Sequence, residues 1–263
     1  MKTYARFKDA IRDVGRALAT VGYVVDGKRW QSVDVSDKPE MKMRELFNTS
    51  FTVQLNDEDH NSYQEDIQPN LPWADDHFEE RVGGRPLNPG VQWANWPWSL
   101  SADKFRRAGE QFSHTYMERY WPKDAGDNVD GLEPHLGIRY EYGDLSDVVE
   151  HLTNNPETRQ AFLPVWFPED TGVVHGERVP CTLGYHFLYR HGYLHMTYYI
   201  RSCDFSRHFR DDLYLSLRLQ VYMMDCLRVQ PGWKDIKPGM FVFHCVSMHC
   251  FENDYRIICE DYK

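Results

Sequence analysis

The sequence predicts an α+β fold, a mixed sheet packed with helices in one large domain over residues 1–263. Three observations lead there. Strand-like and helix-like segments follow one another without the regular alternation of a doubly wound sheet. Two aromatic and β-branched runs, 183–190 and 193–202, flank His191-Gly192 and read as a hairpin. With 41% hydrophobic and 14% aromatic residues, a chain of 263 buries a sizeable core without disulfides or metal.

Along the chain, Tyr4, Phe7, Ile11, Val14 and Leu18 recur at three- and four-residue steps, the apolar stripe of an amphipathic helix over 4–21. The stretch from about 55 to 135 changes character, being rich in Pro, Trp, Asn and acidic residues. It reads as an ordered insertion, because disordered segments are poor in aromatic residues. One helical pattern runs through it at Phe105, Ala108, Phe112, Tyr116 and Tyr120. Asp144 is placed to cap a helix carrying Leu145, Val148, Val149 and Leu152, which Asn155-Pro156 ends. A strand is expected at 159–167, a helix at 211–228 and a further strand at 240–246.

Composition bounds function as well. A net charge of −10 argues against a nucleic-acid surface, since phosphate contacts dominate such binding, yet leaves room for a local pocket for one anionic small molecule. No apolar run suggests a membrane span and the N-terminus lacks the core of a signal peptide, so a cytoplasmic location is expected. The six cysteines form no pair with metal-ligand spacing and read as reduced thiols. No phosphate-binding glycine loop is present.

The segment that carries chemistry is Val179-Pro180-Cys181-Thr182, followed twenty residues after the cysteine by Arg201-Ser202-Cys203-Asp204. A cysteine before a hairpin is by itself most often a packing residue. The joint pattern resembles the Pro-Cys nucleophile loop and Arg-Ser-x-Asp motif of thymidylate synthases and their phage relatives, the deoxycytidylate hydroxymethylases. Asn155-Pro156-Glu157-Thr158-Arg159, Arg44-Glu45-Leu46 and Ser247-Met248-His249 resemble further motifs of the family. The continuous similarity covers about 137–255, a nucleotide and folate core.

The resemblance implies a thymidylate synthase-type fold, a homodimer, and one-carbon transfer from 5,10-methylenetetrahydrofolate to C5 of a pyrimidine nucleoside monophosphate. Cys181 would attack C6, because C5 of a pyrimidine is a poor nucleophile until a covalent adduct forms. Arg201 would favour the thiolate and bind phosphate, joined by Ser202 and, from the partner subunit, Arg159. Asp204 would contact folate, Glu45 would organise water and proton transfer, and His249 belongs to the substrate site. Ser202 and Asp204 also fit turn or cap roles, and Glu45 a solvated position.

The base is read at position 212. Uracil-specific members carry Asn there, and this chain carries Asp212, eleven residues after Arg201. An ionised carboxylate only accepts, which suits the amino donor of cytosine. Asp212 and Thr182 both resemble the hydroxymethylases, so dCMP 5-hydroxymethylation is the leading expectation, with a role in making modified phage DNA. Reductive methyl transfer, as in thymidylate synthase or on dCMP, is the runner-up, and a catalytically silent nucleotide-binding module is the alternative of another class. For Asp212 itself the competing role is an N-cap of the following helix.

Three departures stand beside the resemblance. Gln160 replaces a second arginine, Phe251 replaces a tyrosine that contacts the sugar, and the segment that closes over folate in relatives does not follow the His motif, a lid that the 55–135 stretch would supply. The active-site tyrosine of the family corresponds to Tyr116 or Tyr142.

Overall fold

The structure is a computed structural model that describes residues 1–30, 33–103, 106, 111–121, 143–171 and 178–262. Its elements run β1 (Lys2–Tyr4), α1 (Phe7–Val21), β2 (Tyr23–Val25), β3 (Arg29–Trp30), β4 (Val33–Asp34), β5 (Met43–Gln54), α2 (Gln64–Ile67), α3 (Trp73–Val82), α4 (Ser99–Asp103), α5 (Tyr116–Tyr120) and α6 (Leu145–Asn154). There follow β6 (Phe162–Pro164), β7 (Thr182–Arg190), β8 (Tyr193–Asp204), α7 (Phe209–Arg228), β9 (Lys237–Phe251) and α8 (Glu252–Tyr262). The α+β class expected from the sequence is the one observed.

One sheet organises the molecule, in the order β1-β5-β9-β8-β7-β6, with β2 also paired to β5. Most neighbours are antiparallel, but β8 and β9 are parallel, as are β1 and β5. The β7–β8 hairpin turns at His191 and Gly192, whose φ values of 53° and 86° give the paired left-handed geometry that matches strand twist. Alternate residues of the central strands, among them Tyr185, Tyr198, Ile200, Phe241 and Phe243, point to one face and are buried under α1 and α7. There Phe51 stacks on Phe243 at 5.1 Å and Phe209 meets the same ring edge-on at 5.3 Å. Helix α7 is buried on almost every side, and several of its polar residues are buried with it, Asp211, Arg218 and Gln220 each taking hydrogen-bond partners.

Polar contacts dock α3 on α7. The Asp211 carboxylate accepts from the backbone and side-chain nitrogens of Asn70, both at 2.8 Å, while Asp75 accepts from Tyr214 and Arg218. This brings one face of the aromatic-rich stretch against the start of α7.

Three expected elements differ in extent. The helical pattern through Phe105 to Tyr120 is not one helix. Residues 111–115 are non-helical, and a capping box between Thr115 and Glu118 starts α5 only at Tyr116. Phe105 and Ala108 lie outside the described residues. The strand expected over 159–167 shrinks to Phe162–Pro164, since Pro164 has no N–H to give and the next two N–H groups both turn to Leu183 O. Conversely, the strand at 240–246 extends over Lys237–Phe251.

Asp144 does cap α6: its carboxylate accepts from Asp147 N, and Asp147 accepts from Asp144 N, both at 3.0 Å. Asp144→Ala should therefore lower unfolding free energy by about 1 kcal/mol in urea titrations, and Asp144→Asn by less.

Candidate active site

A cleft of about 440 Å³ opens at the ends of β8 and β9, bounded on its other sides by α3, the segment from Phe112 to Met117 and the start of α7. That volume lies in the range of small-molecule sites, roughly 300–1,000 Å³. Pairing register determines what the sheet contributes. Antiparallel β7 sets Thr182 opposite Ile200, and parallel β9 sets Ser247 beside Ser202 and His249 beside Asp204. Motifs far apart in the chain thus meet at one sheet end.

Cys181 sits at the last position before β7, partly exposed into the cleft. Arg201 fastens its loop: the guanidinium donates to Pro180 O at 2.8 Å and to Val179 O at 3.1 Å, and one nitrogen lies 3.9 Å from the Cys181 sulfur. Burial pushes the thiol above its ordinary value, Arg201 and Arg178 oppose that, and the charge of Asp212 adds to it. Thr182 continues the site below, its hydroxyl shared between Tyr116 (2.9 Å) and Tyr198 (3.0 Å). Tyr116, one of the two candidate tyrosines, therefore lines the cleft, and Tyr142 lies outside the described residues.

Asp212 is not a helix cap. His208 holds the cap position of α7, and Asp212 N makes a regular helical bond to His208 O at 2.8 Å. Its carboxyl instead faces the cleft, 3.5 Å from the Cys203 sulfur. Burial raises it to about 7, with Arg81 the chief opposing charge. Cys203 is accordingly more than packing, since its thiol donates to this carboxyl.

The remaining expected residues take different places. Ser202 and His249 line the cleft, and His249 Nδ1 is buried without a partner among the described residues. Asp204 closes the turn into α7, accepting from the N–H groups of Ser206 and Arg207, and burial raises it to about 6. Glu45 stands one layer back, accepting a short hydrogen bond from Ser247, which itself faces the cleft. Arg159 is exposed at the turn before β6 and does not reach the cleft of its own chain. Phe251 is buried beneath Arg207.

Several lining groups had no reading in the sequence. Trp73 stacks on His77 at 4.9 Å, Trp96 stacks on His208 at 5.2 Å, and Trp73 and Trp96 approach at 5.9 Å, making an aromatic wall. Burial holds His77 (about 4), His208 (about 3), His114 and His249 below the ordinary imidazole range, so the cleft's cations are arginines. The four-residue step from His77 to Arg81 was the one available signal, because it places both on one helix face.

Fold and site together define a protein with a partly buried cysteine and a partly buried carboxyl lining one cleft fit for a planar, anionic molecule. The chain belongs to the thymidylate synthase family: the family model described as thymidylate synthase matches residues 50–261, running through the aromatic-rich stretch and every motif except Arg44-Glu45-Leu46. It is 30% identical over 151 residues to a protein of Methanococcoides burtonii named "Putative thymidylate synthase", covering 55% of this chain and 65% of that one. A protein of the same name from Methanosarcina barkeri is 29% identical over 140 residues, covering 51% of this chain and 60% of the other. The match thus spans less than two thirds of these relatives. In structure the chain is similar to thermostable thymidylate synthase A from Bacillus subtilis, with a TM-score of 0.64 at 14% identity, over 97% of this chain and 84% of that one. That likeness is one of fold. Among the described residues no helix is long and apolar enough to cross a membrane.

Iodoacetamide alkylation of Cys181, followed by mass spectrometry of its peptide, should titrate with a midpoint above the ordinary thiol value of about 8.5. Arg201→Met should raise the midpoint further and Asp212→Asn should lower it, as the signs of their charges require.

Proposed function

We propose that this chain catalyses one-carbon transfer to C5 of a pyrimidine nucleoside monophosphate, with dCMP as substrate and 5-hydroxymethyl-dCMP as product. One observation carries the reading: a single cleft holds Cys181 beside Arg201 and, facing them, a carboxyl raised to about 7. The thiolate of Cys181 adds to C6, the electron pair of the C5–C6 double bond moves through C4 onto ring N3, and N3 takes the proton of Asp212. C5 then carries enamine character. A carboxyl near neutrality suits this step, because it loses its proton readily to a base whose strength rises as the adduct forms.

The same proton argues for cytosine. Protonated Asp212 meets a cytosine edge twice, its carbonyl oxygen accepting from the amino group and its O–H donating to N3. Uracil already bears hydrogen on N3, which leaves only carbonyl O4, a far weaker base. Arg201 and Ser202, which both line the cleft, meet the phosphate in this reading.

The cleft also fits folate. Its wall is built of tryptophan rings that suit a flat heteroaromatic system, and His249 Nδ1 is a buried polar atom without a hydrogen-bond partner among the described residues. Trp73, Trp96, Asp204 and His249 would hold 5,10-methylenetetrahydrofolate, which when bound supplies the one-carbon unit. Glu45, acting through Ser247, is the group on hand to orient water for the last step.

A homodimer completes the site in this reading. The sheet face opposite α1 and α7 bears no described helix and leaves Phe162, Met240 and Val246 exposed. Arg159 stands at its edge, its carbonyl accepting from His186 at 3.0 Å, and in this reading its side chain reaches the phosphate held by the partner. A second reading, reductive methyl transfer, is favoured by the names of the archaeal relatives. Dihydrofolate formation with dCMP or dUMP marks that route, and product without dihydrofolate marks hydroxymethylation.

Tritium release from C5-labelled dCMP with folate present tests the adduct. Cys181→Ala should abolish release while nucleotide binding persists, and absence of release from the native protein with any pyrimidine monophosphate would favour a silent binding module. Asp212→Asn should move the dCMP to dUMP ratio of kcat/KM toward dUMP by about 10- to 100-fold, the scale on which a site discriminates through buried hydrogen bonds. An unchanged ratio would remove Asp212 from base reading.

A further inference from the structure

We propose that Thr182 and Tyr198 are positioning residues that turn the hydroxyl hydrogen of Tyr116 into the cleft, so that Tyr116 meets the bound pyrimidine as a hydrogen-bond donor. The proposal deepens the reading of the cleft as a pyrimidine site and rests on that reading only for what the donor meets.

Three hydroxyls lead from the core to the cleft. Tyr198 on β8 has 1% of its surface exposed, Thr182 at the start of β7 is fully buried, and Tyr116 at the start of α5 lines the cleft. The Thr182 hydroxyl lies 3.0 Å from the Tyr198 oxygen and 2.9 Å from the Tyr116 oxygen. Neighbouring groups fix both phenols. Tyr185 stacks on Tyr198 at 5.0 Å and Phe243 meets it edge-on at 5.7 Å, while the Arg81 guanidinium sits 4.0 Å from the centroid of the Tyr116 ring. Burial pushes both phenols above their ordinary range, so each keeps its hydrogen.

The direction of these bonds follows from counting hydrogens. Each hydroxyl carries one hydrogen, and two bonds among three hydroxyls use two of the three, so one is left over. Were Tyr116 to donate to Thr182 and Thr182 to Tyr198, the spare hydrogen would sit on Tyr198 in the core, where no described residue accepts it. Were both phenols to donate to Thr182, the spare hydrogen would be that of Thr182, equally shut in. A buried donor left without an acceptor is costly. In the third arrangement Tyr198 donates to Thr182 and Thr182 donates to Tyr116. The spare hydrogen then stands on Tyr116 at the cleft, the one place of the three where a ligand or water can accept it. The Arg81 cation over the ring draws charge from the phenol and strengthens its O–H as a donor. Thr182 also follows Cys181 directly in the chain, so the residue that aims the donor adjoins the nucleophile.

The full chain carrying tyrosine labelled with 13C at the ring carbon that bears oxygen tests the direction. In equal parts H2O and D2O a slowly exchanging hydroxyl gives two lines and a freely exchanging one gives a single line. Tyr116 and Tyr198 are assigned by loss of their signals in Tyr116→Phe and Tyr198→Phe. Tyr198 should give two lines and Tyr116 one. Two lines for Tyr116 without ligand would mean that its hydrogen is held inward and would overturn the proposal, on a native protein that no folding defect disturbs. Tritium release from C5-labelled dCMP supplies the second readout. Thr182→Val, which keeps the shape and loses the hydroxyl, should slow release by about 10- to 100-fold, since a small misplacement beside the reacting atoms is costly, and Thr182→Ser should restore most of the rate. In the Tyr116→Phe background Thr182→Val should add little, because Thr182 acts through that phenol. Additive losses, or a Ser variant as slow as the Val one, would overturn the positioning role. If the native protein releases no tritium, a single line for Tyr116 still upholds the orientation of its hydrogen, and the reading of the cleft as a dCMP site is what falls.

Discussion

Parallel pairing of β8 with β9 sets Ser202 beside Ser247, Cys203 beside Met248 and Asp204 beside His249, and the chemistry of the cleft depends on that register. Strand side chains alternate between faces, so a one-residue slip would turn Arg201 and Cys203 together to the opposite face. Arg201 would then lose the carbonyls of Val179 and Pro180 that hold the nucleophile loop, and Cys203 would lose Asp212. The register is protected by burial. Met196, Tyr198 and Ile200 on β8 and Phe241, Phe243 and Cys245 on β9 all lie within the core, and a slip would expose them together. Packing of the core and placement of the site are thus one specification.

Helix α7 adds the second constraint. It begins just after β8 ends, and the turn between them is closed by Asp204, so the first helical residues are carried back over the strand they have just left. Asp212 consequently lies over Cys203, nine residues earlier. A carboxyl in the first turns of a helix is favoured by the helix dipole, but here that favour is outweighed by the loss of water around Asp212, and the proton affinity rises. Its neighbour Asp211 points the other way and holds the segment before α3. Two adjacent aspartates therefore divide the work, one docking the aromatic wall and one facing the cleft that this wall encloses.

What was legible in the sequence follows from which forces are local. The stripe of α1, the Asp144 cap and the His191-Gly192 turn are set by neighbouring residues, and all were readable. Cys181, Arg201 and Asp212 were marked by spacing within a motif, and the structure brings these three to one cleft. Arg81 and His77 carried no such mark. Their role arises where α3 meets α7 and α5, contacts between residues far apart in the chain, and a lone arginine in an acidic helix reads as a surface residue. The pattern through Phe105 to Tyr120 misled for a related reason, because periodicity registers apolar side chains needing burial, and Phe112 is taken up by the side of Trp93 from an extended segment. Position 212 left two roles open since an aspartate near a helix start serves as cap or as site. Only the location of the cap at His208 separates them.

Cys181 and Asp212 are best understood as a pair. The charge of Asp212 raises the proton affinity of the Cys181 thiol, because both become negative on losing a proton and both lie where water is scarce. The thiol lies higher, so between their two values the pair holds one proton, resting on sulfur. Thiolate with protonated carboxyl has the same net charge and proton count as thiol with carboxylate. In the proposed reaction adduct formation draws on this form: sulfur delivers electrons to C6 while the carboxyl delivers its proton to N3, and the cleft's total charge stays constant throughout. Arginines act on both groups, Arg201 and Arg178 opposing burial of the thiolate and Arg81 opposing burial of the carboxylate. In a desolvated cleft, where separating charge is costly, a reaction that moves a proton and an electron pair together without changing the net charge is the one such an arrangement favours.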